Sequence, residues 1–126
     1  MTLAAWLFSA KRAWQDPWIK GVTVFTVVFG IIGSAWFIAH MLPLRHATHG
    51  RLVLHYSVYF GIDAIKPWGW LFALPVCWIV SVMIDVVWSL GVYREDAYQA
   101  WAILFVASIS SIPWMMTLWH LIGINR

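Results

Sequence analysis

Residues 21–42 read GVTVFTVVFGIIGSAWFIAHML. These twenty-two positions contain no Asp, Glu, Lys or Arg, and about 20 mostly apolar residues suffice for a helix to cross the hydrocarbon of a bilayer. Two further runs follow, WGWLFALPVCWIVSVMIDVVWSLGV at 68–92 and AYQAWAILFVASISSIPWMMTLWHLIGI at 97–124. Hydrocarbon offers no water to stray backbone groups, so each run is expected to be a helix that closes its own hydrogen bonds. Pro75 and Pro113 are expected to kink the second and third helices.

Composition agrees with this reading. The chain of 126 residues is 63% hydrophobic and 10% charged, with a mean hydropathy of +0.79, whereas about a quarter of a soluble domain is charged. Eight Lys/Arg against five Asp/Glu are too few and too scattered for the clustered basic face that nucleic-acid binding needs. The single cysteine, Cys77, excludes an intramolecular disulfide and reads as a small hydrophobe.

Outward from the first span, residues 1–16 place Leu3, Trp6, Leu7, Ala10 and Trp14 at helical spacing, with Ser9, Lys11, Arg12 and Gln15 elsewhere around the wheel. That pattern predicts an amphipathic helix lying in the membrane interface and ended by Asp16-Pro17. It is not the pattern of a signal peptide, because the basic residues follow the apolar stretch. Trp14, Trp18, Trp68, Trp70, Tyr93, Tyr98 and Trp101 fall near span ends, as interfacial aromatic belts do.

Three spans place Lys11, Arg12, Lys20 and Arg94 on one side and Arg45, Arg51, Lys66 and Arg126 on the other. The count is a tie. The three cations ahead of the first span favour a cytoplasmic amino terminus. The fold expected is an all-α membrane protein: an interfacial helix, three transmembrane helices and an extramembrane connection over 43–67.

Within that connection LHYSVYFGID, Leu54–Asp63, alternates β-prone side chains, which predicts a short extended segment with Gly61 and Asp63 in a turn and Pro67 opening the second helix. A lone strand must pair, lie in the interface or dock on a partner. His55, Tyr56, Tyr59, Phe60 and Asp63 are therefore candidates for partner contact, alternatively for capping the bundle or covering a ligand.

LHYSVYFGID, the charged turn YRED at Tyr93–Asp96 and the terminal Ile124-Asn125 resemble a group of small uncharacterised bacterial three-span membrane proteins. Their recurring segment is similar to LHYNIYFGID before the second span. Ser57 stands where that pattern often has Asn, and Lys66-Pro67 where a Gly is expected. The resemblance covers about the last 75 residues and implies a topology, together with a bacterial inner-membrane location, but no activity.

Few residues could carry chemistry. Asp85 lies inside the second span, where a carboxylate costs about 2.5–3.5 kcal/mol on insertion scales unless it is protonated, paired or facing water. It is expected to bind neighbouring helices through the Ala107–Ser111 stripe or Thr23 and Thr26, to pair with a partner subunit, or to handle protons. His40, His46, His49, His55 and His120 all fall toward one face. His46 and His49 have the i, i+3 spacing of a metal-binding turn, and His40 or His120 could ligate haem, but HxxH alone is weak and interfacial histidines are common. Gly30 and Ser34 form a small-xxx-small pair, and Ser108 and Ser111 a small polar stripe, for close helix packing within the bundle or against a neighbour. Trp36, Phe37, Trp78, Trp88 and Trp114 are expected to leave aromatic surface facing lipid or protein.

No catalytic constellation stands out. Glu95-Asp96, the one carboxylate pair, reads as solvated or helix-capping. The expectation is a non-enzymatic accessory or structural subunit of a larger membrane complex. An electron- or proton-transfer module binding haem, quinone or pigment through the one-sided histidines is the alternative, and a homo-oligomer packed through Gly30 and Ser34 a third.

Overall fold

The structure, a computed structural model, describes residues 2–43, 51–57 and 61–125, with backbone alone at 52, 54–57 and 61–64. The elements run α1 (Leu3–Ala13), α2 (Pro17–Met41), β1 (Arg51–Ser57), β2 (Gly61–Pro67), a 3-10 turn (Trp68–Phe72), α3 (Ala73–Val92) and α4 (Ala97–Asn125). Three helical segments, Pro17–Met41, Trp68–Val92 and Ala97–Asn125, are long and apolar enough to cross a membrane, with mean hydropathies of 2.1, 2.2 and 1.6. The chain is an all-α membrane protein with a shorter helix ahead of its spans.

Local chemistry sets the boundaries. Thr2 caps α1 by accepting from the Ala5 N–H. The first span begins at Pro17 and not at Gly21, because Asp16 accepts from the Trp18 N–H and Pro17 sits at the first helical position, where its missing N–H costs nothing. Asp96 caps α4 through the Gln99 N–H, which is the capping role open to it in the sequence. Pro75 falls in the first turn of α3 and has no N–H for the Leu71 carbonyl, so the 3-10 turn gives way to α geometry there. Pro113 is accommodated inside a continuous α4.

The three spans pack around two apolar clusters. Ala13, Ile19, Val82, Val86, Ala100 and Leu104 fill the end next to α1, and Phe37, Met41, Leu71, Leu118, Leu121 and Ile122 fill the opposite end. Between them Trp78 stacks on Trp114 with ring centroids 4.8 Å apart at 25°. Trp78 lies flat on the α2 backbone at Gly30, so a Cβ there would land on its benzo ring, and a Cβ on Gly33 would come 2.8 Å from Met115 Cε. Expected outward-facing aromatics therefore turn inward. Phe37 and Trp78 are buried, Trp36 and Trp114 are half-buried, and only Trp88 of the five is exposed.

The connection departs most from expectation. Strand β1 pairs antiparallel with β2, from Arg51 opposite Pro67 to Ser57 opposite Gly61. Gly61 and Asp63 thus belong to a second strand and not to a turn. The register shifts between Val53 and His55 and again between His55 and Tyr56, placing Leu54 and then Asp63 as the extra residues of bulges on opposite strands. Period-2 patterning marks β1, but GIDAIKP has too little alternation to announce a strand.

Gly30→Ala should destabilise the bundle by about 3 kcal/mol, the upper range for overpacking. Trp78→Leu in the same chain should recover part of that loss, as thermal unfolding in detergent would read.

Candidate functional site

Polar junctions occur at both ends of the bundle. At the α1 end, Asp16 ties four segments together. Its Oδ1 caps α2, while its Oδ2 accepts from Tyr93 Oη at 2.8 Å, past the end of α3, and from Trp101 Nε1 at 3.1 Å, in the second turn of α4. Burial acts to raise the Asp16 pKa, but the hydrogen bonds from Tyr93, Trp18, Trp101 and Ile19 together hold it below its ordinary 3.8. The Tyr93 phenol moves up from 10.0, first because its proton is held by Asp16, then through burial and the nearby carboxylate charge, with Arg12 acting the other way.

Beside this junction Ser9 fastens α1 to α3. Its Oγ donates to the Leu90 carbonyl at 2.8 Å and accepts from the Arg94 N–H at 3.0 Å, and Trp6 Nε1 donates to the Val87 carbonyl at 3.3 Å. The polar side of α1 thus packs on the bundle through Ser9, while the apolar side its wheel suggests stays open. Ser9 and Ala13 are its buried residues, whereas Leu3, Leu7 and Phe8 are open to the surroundings. That leaves the apolar face free to enter the membrane interface.

At the opposite end Asn125 clasps the hairpin. Its Oδ1 accepts from the Val53 N–H and its Nδ2 donates to the Val53 carbonyl, both at 2.9 Å, with a second Nδ2 bond to the Leu121 carbonyl. A carboxamide thereby does for β1 what a peptide unit of a third strand would do. Lys66 lies 5.7 Å from the Trp70 ring centroid at the base of β2.

Asp85 stands between these ends, half-buried on α3. It flanks the buried stripe of Trp78, Val82, Val86 and Ser89 and has exposed Ser81 and Trp88 on its outer side. Of the hydroxyls expected to receive it, Thr23 is buried without a partner and the others are committed elsewhere. Thr26 and Ser108 bond each other at 2.7 Å, and Ser110 and Ser111 donate to the Ala107 carbonyl. Gly30, Ser34 and Ser111 are buried inside the bundle, so the small-residue faces close this chain on itself and offer nothing to a neighbour.

Of the five histidines, His40 and His120 have described side chains. His40 is exposed, with Nδ1 bonded to the Trp36 carbonyl at 2.9 Å and its ring 4.7 Å from that indole. Trp36 stacks in turn on Trp119, the neighbour of exposed His120. Among the described residues no three His, Cys, Asp or Glu side chains gather around a metal-sized space. His46, His49, Tyr59 and Phe60 lie outside the described residues, and of His55, Tyr56 and Asp63 only the backbone, in the hairpin, is described.

Asp16, Ser9 and Asn125 were the residues missed as sites by sequence reasoning. Asp-Pro before a span signals a helix start, but nothing local signals that the same carboxylate reaches Tyr93 and Trp101. The class defined by fold and junctions is a three-span membrane protein with a hairpin pinned to the end of its last helix. The chain matches no protein-family model, no curated protein and no solved structure.

Asp16 has a folded-state pKa below its unfolded value, so its contribution is present above pH 3.8 and is lost as pH falls through the folded pKa. Tyr93 has a raised pKa, so its contribution is present below pH 10.0 and is lost as pH rises through the folded value. Melting temperature in detergent should fall at both extremes. Asp16→Ala should cost about 1–2 kcal/mol, the range for losing a cap, and should flatten the acid limb. At the other end Asn125→Leu should cost about 1–3 kcal/mol at about 1 kcal/mol per net hydrogen bond, and amide exchange at Val53 should rise at least tenfold.

Proposed function

We propose that this chain is a small non-catalytic accessory or structural subunit of a larger assembly in the bacterial inner membrane, with its amino terminus in the cytoplasm. The observation that supports this most directly is the hairpin. Two antiparallel strands alone are marginal in water, yet here Asn125 fixes β1 to the end of α4 by both backbone groups of Val53. Among the described residues the sheet has only two strands, so the far edge of β2 meets no further strand. An open edge held rigidly is suited to pairing with an extended segment of another protein.

The spans are compatible with the same role. Between 22% and 33% of the residues in each are buried within the chain, leaving most of every helix to lipid or to neighbouring subunits. The orientation rests on Lys11, Arg12 and Lys20 ahead of the first hydrophobic stretch.

A mild-detergent pull-down of the tagged protein from its native membrane tests the reading, with an absorption spectrum and metal analysis on the same sample. The expected result is one or more larger membrane proteins in stoichiometric amounts, without a Soret band or metal. A coloured or metal-bearing protein purifying alone would replace this reading with a cofactor-binding one and make His40 and His120 the first residues to vary.

A further inference from the structure

Resting on the accessory-subunit reading, we propose that Asp85 receives a lysine or arginine from a transmembrane helix of a different protein. Asp85 lies seven residues inside the end of α3 at Val92, about 10 Å along the axis at 1.5 Å per residue. It is half-buried on the flank of the helix, and among the described residues it makes no hydrogen bond or ion pair. A carboxylate in that position is costly unless it is paired, protonated or facing water.

The chain itself gives Asp85 no partner among the described residues. A hydroxyl has one proton to donate, and most of those near the α3 seams are spent. Ser81 donates to the Cys77 carbonyl, Ser89 to the Ala100 carbonyl, and Ser110 and Ser111 to the Ala107 carbonyl. Thr26 and Ser108 share their two protons between each other and the carbonyls of Val22 and Leu104. Thr23 is buried with its Oγ1 unpartnered and does not bond Asp85 either.

A second copy of the chain has no cation at this depth: the one Lys or Arg in its three spanning helices is Lys20, in the first turn of α2. The nearest along α3, Arg94, is nine residues further on, about 13 Å along a helix, and its guanidinium sits 5.4 Å from the Phe8 ring centroid. Charge complementarity at this depth therefore calls for a heterologous helix with a basic residue about two turns inside its membrane span. Exposed Ser81 and Trp88, the latter 61% exposed, flank Asp85 on its outer side, about one turn before and after it.

The test places a photo-cross-linking residue at the exposed Ser81 position in the tagged full chain, irradiates native membranes, and identifies the attached peptide by mass spectrometry. The expected product is a transmembrane segment of another protein that contains a Lys or Arg. Asp85→Asn should lower its yield at least tenfold while leaving helix content and melting temperature in detergent unchanged, and Asp85→Glu should retain it. Asp85→Lys should lose the product and regain it when the partner's basic residue is changed to Asp. A segment without a basic residue, a cross-link only to a second copy or to lipid, or an unchanged yield in Asp85→Asn would each overturn the inference. Stoichiometric partners persisting in the Asp85→Asn pull-down would leave the accessory-subunit reading standing without it. No partner in either pull-down would remove both.

Discussion

Asp16 concentrates at one membrane edge a task usually divided among several side chains. One oxygen ends the disorder of the α1–α2 corner by capping α2, and the other gathers the end of α3 and the start of α4 through Tyr93 and Trp101. Those two aromatics occupy the interfacial positions where an apolar body and a polar tip are both accommodated. The belt thus acts as more than an anchor to headgroups. It supplies the donors that let a single carboxylate set the lateral order of the spans, and Ser9 then places α1 against the same end of α3.

From that edge inward, packing takes over from hydrogen bonding. Trp78 fits because Gly30 has no side chain, and the stacked pair Trp78–Trp114 separates the two apolar clusters. Its indole N–H groups are buried without partners, a cost that this close stacking and dispersion offset. At the far edge the chain returns to hydrogen bonds, with Asn125 using its carboxamide as a peptide unit toward Val53.

The spans were legible because uninterrupted apolar length has few other meanings. The start of α4 follows from Glu-Asp-Ala in the same direct way, whereas Asp16-Pro17, read as the end of α1, also starts α2 four residues ahead of Gly21. Strand β1 announced itself through alternation, but β2 did not, because Gly61, Ala64 and Pro67 dilute it and its stability comes from pairing. The junctions were hidden for a different reason. Ser9 and Leu90, Asp16 and Tyr93, and Asn125 and Val53 are each more than 70 residues apart, and no local pattern relates them. The aromatic core was misread because a tryptophan in a span looks the same whether it faces lipid or a glycine on the next helix.

Asp85 and the hairpin pose the same physical problem at two depths. At the hairpin, backbone groups on the far edge of β2 can still find water, so an unfilled edge there is tolerable. At Asp85 the outer side faces the apolar surroundings of the span, and the hydroxyl protons of Ser81, Ser89, Ser110 and Ser111 are committed to carbonyls. A partner contacting both would have to present an extended segment outside the membrane and a basic side chain inside it, on the same side of the bundle or wrapped around it. Between these points the apolar surface of α3 discriminates little, since lipid tails are as apolar as the helix itself. Specificity would therefore come from the two polar positions, with the apolar helix surface between them contributing area and little choice of partner.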